Sequence, residues 1–518
     1  MTRLKRSNAT IGWVLGLVAA ALTASTVRLD AQGAGQQIVL TLERMVELGL
    51  QHSYRVKDLR LNIERTRANL RAERAGLKSR VQLNVSAPQF ESISEHKWNS
   101  ELQRNELIYE NTRRWEADLS VRQPVMLFGY PTNGELSFTN RVYRFSQIGD
   151  QRDTRYYNRF FFGYDQPLFQ PNRMKNELEE AELDLENSEL DYLDDVMGLV
   201  EDYADDYYEL FEAASERVIA EELVRHLELA TAAAAAVASA DPARAIEADQ
   251  IRIELANARG DLQQSLSDFR LQAENLKQDL RLSAADTLLL DPVLDIRPVV
   301  VEPNQAIELA KTLAPRLRQI AIERRQNEIN LNETKGNNSF RMNLSLTYGR
   351  EVQDPRFQNL WREPRNSYTV DISAFVPIWD WGQRSHRIAA SEIELQRTDL
   401  ELEQQLSEIE AQVHSEIRTL QDYQQRALNM QENRMLAHQI TESTLERYRA
   451  GEGTVVDLLQ TLNRENSTAE NHLEAFIGYR RALLDLQQLT YFDFERNVPM
   501  VERFGIGMVP DTEAAKRQ

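Results

Sequence analysis

The feature that most constrains this chain is that it repeats itself in two registers. Glu47-Leu48-Gly49 lines up with Glu308-Leu309-Ala310 at an offset of 261. At that offset Asn69-Leu70 meets Asn330-Leu331, and Val81, Leu83 and Val85 meet Met342, Leu344 and Leu346. Further along the offset is 210. Pro167-Leu168-Phe169 then meets Pro377-Ile378-Trp379, Leu185 meets Leu395, Leu210 meets Leu420, Ile246-Glu247 meets Val456-Asp457, Gln250 meets Gln460 and Leu276 meets Leu486. This register runs from Pro167 to Leu276 without a gap. Such self-similarity marks a duplication, and the difference between 261 and 210 puts about 51 extra residues between Val85 and Pro167 of the first copy.

Each copy reads as helix, strands, long helix, long helix. Residues 41–77 place Leu42, Met45, Val46, Leu50, Leu59, Ile63 and Leu70 at helical spacing, with Thr41 as a cap and Gly76 near the end. Residues 305–335 repeat the pattern. Strand segments follow in which apolar and polar residues alternate. Phe340, Met342, Leu344, Leu346 and Tyr348 form one set, and Tyr368, Val370, Ile372 and Ala374 another. In the first copy Val81, Leu83 and Val85, then Ala117, Leu119 and Val121, do the same. Residues 157–168 alternate less cleanly and 135–145 less again. Residues 172–240 and 383–450 contain no Pro and only Gly198 as a breaker, so each can run as a helix of roughly 100 Å. Asp241-Pro242 and Gly451-Glu452-Gly453 end them. Asp241 before Pro242 is an N-cap with Pro at N1, and Thr454 three residues before Asp457 resembles a capping box.

Period-2 segments suit a membrane barrel or a half-buried soluble sheet equally. The aromatic residues separate the two. Residues 81–169 and 340–381 hold 24 of the 40 Phe, Tyr and Trp in a quarter of the chain. Trp98, Trp115, Trp361, Trp379 and Trp381 all lie there, and with Tyr348 they suggest the aromatic girdles of a membrane interface. Arg3, Lys5 and Arg6 precede an apolar run from Ile11 to Leu22, the order of an export signal over residues 1–31. No other run reaches the length of a membrane-spanning helix, so a spanning chain would have to use a closed barrel.

Composition removes other classes. There is no Cys, which excludes disulfide scaffolds and Cys-ligated metal centres. The net charge of −20 argues against a nucleic-acid partner. The seven His are scattered, and no HExxH, Walker loop, GxSxG or dinucleotide fingerprint occurs. Neither an enzyme activity nor a cofactor is indicated. The acidic run from Asp191 to Glu209 spreads round a helix and reads as a solvated or lumen-facing surface.

The chain resembles the TolC-like outer membrane efflux proteins. The resemblance covers roughly residues 38–490. It rests on Leu42-Glu43 through Glu47-Leu48-Gly49-Leu50, on Ala68-Asn69-Leu70-Arg71-Ala72, and on the strand exits Gln166-Pro167-Leu168-Phe169 and Val376-Pro377-Ile378-Trp379-Asp380-Trp381-Gly382. It rests also on Glu446-Arg447-Tyr448-Arg449-Ala450-Gly451 leading into Val455-Val456-Asp457-Leu458-Leu459. The resemblance implies a mainly α fold with a membrane β-barrel: a duplicated coiled-coil tunnel, and a 12-stranded barrel shared by a homotrimer, four strands from each chain. It implies a passive duct in the outer membrane. A periplasmic adaptor protein and an inner-membrane pump of RND or ABC type would dock on its periplasmic end. Acidic side chains narrow the entrance in this family, and the matching residues are Asp457, Gln460 (where a second acid is common) and the adjoining Tyr448. Glu247 is the counterpart of Asp457 in the first copy. The competing reading is a secreted coiled-coil scaffold without channel activity.

The organisation expected is an export signal at 1–31, a first repeat at 38–282, a linker at 283–303, a second repeat at 304–490 and a tail at 491–518. The first repeat would hold strands 81–90 and 157–168, an insertion at 91–156, and helices 172–240 and 243–282. The second would hold strands 340–350 and 367–377, and helices 383–450 and 454–490. The segment 116–145 is assigned to the insertion rather than to the barrel, with Pro131-Thr132-Asn133-Gly134 as its turn.

Overall fold

The computed structural model describes residues 37–99, 103–148 and 153–507; the expected export signal lies outside them. The chain forms two compact units. One comprises the residues up to Met45 with Asp206–Val293, the other Val46–Asp205 with the chain from Leu294.

In chain order a short strand β1 (Gln37–Val39) leads to helices α1 (Leu42–His52) and α2 (Tyr54–Gly76). Strands β2 (Arg80–Asn99), β3 (Arg104–Leu127), β4 (Tyr130–Ile148) and β5 (Thr154–Leu168) follow. Two long helices come next, α3 (Arg173–Ala240) and α4 (Ala245–Asp279), then β6 (Thr287–Leu289), which pairs with β1. The second copy runs α5 (Pro303–Leu313), α6 (Pro315–Asn337), β7 (Arg341–Asp354), β8 (Arg365–Phe375), α7 (Gln383–Arg449) and α8 (Val455–Thr490). Both α1 and α5, and both α2 and α6, begin and end 261 residues apart.

The first helical stretch of each copy is not continuous. Ser53 breaks the first, its Oγ accepting the Val56 N–H at 3.3 Å. Pro315 breaks the second, because proline suits the first position of a new helix and cannot continue the old one. Thr41 caps α1 through the Arg44 N–H.

The long helices bury narrow stripes. On α7, Val413, Ile417, Leu420 and Ala427 face Ala475, Tyr479, Ala482 and Leu486 of α8 in one core that α5 closes with Ala306, Ile307 and Ala310. These intervals of three, four and seven residues are a coiled-coil seam. Outside the seam, heptad-spaced ion pairs match the helices. Arg67 and Arg74 of α2 pair with Glu189 and Glu182 of α3 at 2.9 and 2.8 Å. Arg318 and Arg325 of α6 pair with Glu186 and Glu179 of α3 at 2.6 and 2.7 Å. Such surface pairs contribute little energy singly, but equal spacing on both partners favours a single register.

The six large strands form one antiparallel sheet in the order β2-β3-β4-β5-β7-β8. This corrects the expected insertion. Residues 104–148 are two strands inside the sheet, between β2 and β5, rather than a segment set apart from it. The reason is visible in the pairing: Ala117, Leu119 and Val121 lie opposite Val85, Leu83 and Val81, so the segment extends the same alternating surface. Its turn also differs. The chain reverses at Phe128-Gly129, both at positive φ (51° and 86°), as a two-residue type I′ hairpin requires. Pro131–Gly134 lie within β4.

The segment after α8 is folded as far as residue 507. Strands β9 (Phe492–Asp493) and β10 (Val498–Pro499) pair, and a turn of helix, α9 (Met500–Arg503), follows. The fully buried Asp493 carboxylate accepts from Gln487 and from the Glu495 and Arg496 amides, and lies 3.2 Å from the Arg503 guanidinium.

The two copies solve one packing problem differently. A Cβ on Gly49 would lie 2.5 Å from the ring of Tyr203, so only glycine admits the tyrosine there. The duplicated positions are Ala310 and Val413, both fully buried in the second core. A larger residue on one helix accompanies a smaller one on the other. Gly49→Ala is expected to destabilise the protein by about 1–3 kcal/mol through overpacking. Adding Tyr203→Val should recover most of that loss in thermal melts. A double variant no more stable than Gly49→Ala would refute the compensation.

Candidate functional site

The predicted entrance residues lie at the turn from α7 to α8. The end of α7 is a Schellman motif: Gly451 adopts φ 81°, its N–H donates to the Tyr448 carbonyl, and the Glu452 N–H donates to that of Arg447, each at 3.0 Å. Tyr448 is almost fully buried and anchors this turn. The backbone of Gly453 passes close to it, with ordinary room for a Cβ. Thr454 then caps α8, its Oγ1 accepting the Asp457 N–H at 3.1 Å and donating to Asp457 Oδ2 at 2.7 Å. Asp457 and Gln460 are both exposed on the first turn and a half of α8, while Val455 and Leu458 face inward. Among the described residues no cation pairs with Asp457.

Glu247 belongs to the other compact unit. It stands in the first turn of α4, after a single 3₁₀ turn (Pro242–Arg244) capped by Asp241. The Arg244 guanidinium donates to both of its carboxylate oxygens at 2.7–3.0 Å. The duplicated acids therefore differ in their partners: Glu247 is matched by an arginine, whereas Asp457 accepts from a hydroxyl.

The sheet supplies a second set of functional surfaces. Residues paired directly across antiparallel strands share a face. One unbroken row reads Val81, Val121, Phe138, Phe162, Tyr348, Tyr368 from edge to edge. These side chains are largely solvent-exposed at the edges, with Val81 65% and Tyr368 75% accessible. A row on the opposite face reads Asn84, Asp118, Arg141, Arg159, Glu351, Arg365. It is internally paired: Arg141 meets Asp118 at 2.9 Å and Arg159 meets Glu351 at 2.7 Å. One face is thus an exposed apolar band and the other a polar, ion-paired surface.

Aromatic residues cluster at the two ends of the sheet. At the end near the helices, Trp379 and Trp381 pack edge to face at 5.4 Å, and Phe169 and Phe340 lie 5.6 Å apart. At the far end, Trp115 sits under the Arg113 guanidinium, and Trp361 packs edge-on against Phe357, which meets Tyr156. Tyr348 lies between the two ends, 5.2 Å from Tyr368. Among the described residues no helix is long and apolar enough to cross a membrane. The strands have the necessary length: even β8, with 11 residues, matches the roughly 9–11 that a tilted spanning strand needs.

The acidic run of α3 is more engaged than a solvated surface. Arg55 binds Asp195 at 2.8 Å, Gln319 donates to Asp191 at 2.7 Å, the Tyr491 hydroxyl donates to Asp194, and Arg481 pairs with Asp205 at 3.2 Å. Sequence reasoning missed Asp485 on α8, because its neighbours come from other helices. Burial, then the carboxylates of Glu416, Glu201 and Asp205, push Asp485 up to about 6, while Arg481 acts in the opposite direction. More than a third of the residue remains open to solvent, which screens part of the burial effect, so the crowding of four carboxylates is the firmer cause.

Residues 306–490 match the family described as outer membrane efflux protein. By sequence, no curated protein matches the chain. By structure, the chain is similar to CusC, solved in a study of its folding and transmembrane channel formation, with a TM-score of 0.62 and 14% identity over 90% of this chain and 95% of that one. It is similar to the CmeC outer membrane channel of Campylobacter jejuni, at 0.59 and 14% over 92% and 88%. It is similar also to the outer membrane protein VceC of Vibrio cholerae, at 0.61 and 12% over 87% and 95%. At these identities the likeness establishes a shared fold. The TolC-like resemblance read from the sequence is thus matched by family over residues 306–490 and by fold along most of the chain.

An acid with a raised folded pKa stabilises the fold only while protonated. The contribution of Asp485 is complete below about 4 and is lost as the pH rises through about 6. Asp485→Asn should therefore melt at a higher temperature than the native chain at pH 7.5, with the gain vanishing near pH 4. A lower melting temperature at pH 7.5 would contradict the crowding.

Proposed function

We propose that the chain is the outer-membrane duct of a tripartite export system. It acts as a homotrimer: the sheets of three copies close a barrel in the outer membrane, and the long helices continue it as a tunnel through the periplasm. A periplasmic adaptor protein and an inner-membrane transporter of RND or ABC type engage the far end and supply the energy. The duct conducts and does not catalyse. The observation that carries this reading is the two-faced sheet. An exposed apolar band flanked by aromatic levels, backed by a polar face, is stable with lipid on one side and water on the other.

The α7–α8 turn is read as the periplasmic entrance. The Thr454 hydroxyl caps the helix and donates to Asp457, whose carboxylate remains exposed and meets no cation among the described residues. Three copies of Asp457 around an axis would form an anionic ring that attracts divalent cations. Gln460 in place of a second acid gives that ring less charge than two acids per chain would.

Two measurements test the reading. Expressed with its own leader in a two-membrane bacterium, the protein should stay in the outer-membrane fraction through a high-pH carbonate wash and leave only with detergent. Release by carbonate would return the scaffold reading. In planar bilayers, millimolar Ca²⁺ or Mg²⁺ should block single channels of the native protein, and Asp457→Asn should weaken that block severalfold. Unchanged block would remove Asp457 from the entrance while leaving the duct intact.

A further inference from the structure

We infer that this chain builds a barrel of eighteen strands, six from each of three copies, closed by pairing of β8 of one copy with β2 of the next. The inference rests on the trimeric duct and concerns how its wall is made. The family resemblance implies four strands from each chain; the sheet here has six.

The added hairpin, β3 with β4, carries both surfaces of the wall. On the apolar face Val121 of β3 and Phe138 of β4 continue the row from Val81 of β2 to Phe162 of β5, and Leu119 continues the row from Leu83, which passes through Asn140 of β4 to Phe160. On the polar face Asp118 and Ser120 of β3 and Thr139 and Arg141 of β4 continue the rows of Asn84 and Gln82. A one-residue slip anywhere would exchange the two faces, and none occurs along these rows.

The inner end of the hairpin is fastened to the strand exit that the two copies share. The Gln166 side chain donates to the Thr132 carbonyl at 3.0 Å, Asn133 donates to the Pro171 carbonyl at 3.3 Å, and Asn172 donates to the Pro131 carbonyl. Gly134 leaves space for Gln166, since a Cβ there would fall 2.3 Å from its Oε1. Its two-residue turn lies at the helix end of the sheet, the end where spanning barrels carry their short connections. A loop held outside the wall would need none of these contacts.

The sheet edges decide what covers them. Both β2 and β8 pair on one side only. The apolar residues along them, Val81, Leu83 and Val85 on one edge and Tyr368, Val370 and Ile372 on the other, are each at least 60% exposed and share one face. An even number of antiparallel strands makes β2 and β8 run in opposite directions. So β8 can add to β2 of a second copy with the antiparallel alternation unbroken, and repetition closes a ring without an edge. Barrel diameter grows roughly linearly with strand number, so the bore would be about one and a half times that of a twelve-stranded barrel.

The native chain lacks cysteine, so single cysteines report cleanly. In the outer membrane of intact cells, Leu119→Cys should resist a membrane-impermeant maleimide and react with a lipid-soluble one, while Thr139→Cys, half-buried on the polar face, should react with the impermeant reagent. Single-particle images of the unaltered trimer in lipid nanodiscs should show eighteen strands. Equal labelling of both cysteines by the impermeant reagent, or a trimer with twelve strands, would overturn the inference and leave the duct standing. A protein that forms no trimer would overturn both.

Discussion

In the proposed duct, everything about the sheet follows from one constraint: a backbone amide facing hydrocarbon must be hydrogen-bonded within the protein. A strand meets that demand only through its neighbours, so register governs the whole wall. Here six strands pair along rows that hold Val81 to Tyr368 on one face and Asn84 to Arg365 on the other. Exposed Val, Phe and Tyr on a free soluble sheet would invite aggregation; against lipid the same residues are at their most stable. Polar residues that intrude on the apolar face find partners there. Asn140 donates to Asn158 at 2.7 Å, and Asn158 donates to the Leu360 carbonyl of the β7–β8 connection, which covers it.

The helices face the opposite problem. They need only partners for a narrow seam, and over nearly 70 residues many registers of two such seams would be acceptable. Three devices narrow the choice. The tight contact of Gly49 with Tyr203 fixes one level. The heptad-spaced arginine–glutamate pairs fix the sliding of α2 and α6 on α3. The Tyr491 hydroxyl on Asp194 ties the end of α8 back to α3. The acidic content that gives the chain its net charge is thus partly structural.

Legibility in the sequence followed the range of the determining interaction. The duplication, the breaker-free helices and the caps at Thr41, Asp241 and Thr454 depend on residues close in sequence, and all can be read there. The helical period carries through both breaks, at Ser53 because one hydroxyl leaves no local signal and at Pro315 although a proline openly starts a new helix. The hairpin of β3 and β4 was set aside although Ala117, Leu119 and Val121 alternate as well as any strand. Its second strand obscures the pattern, since Asn140 and Arg144 lie on its apolar face and Tyr143 and Phe145 on its polar one. Only pairing with β3 and β5, up to 37 residues distant, reveals which face is which. Asp485 was illegible for the same reason, its neighbours lying on α7 and α3.

Duplication also explains why the two halves are not interchangeable at the turns between their long helices. The two chain reversals use different chemistry for one geometric task. In the first, proline and Asp241 enforce the turn, and Arg244 neutralises the acid that follows. In the second, Gly451 at positive φ enforces it, Thr454 supplies the cap, and the acid that follows meets no cation among the described residues. A helix start prefers an acid in its first turn on dipole grounds alone, and that preference accounts for Glu247 and Asp457 equally. It does not account for the arginine on one and its absence on the other. That difference is what would concentrate negative charge at one turn per chain, so that three copies give a single ring of three carboxylates rather than six evenly charged positions.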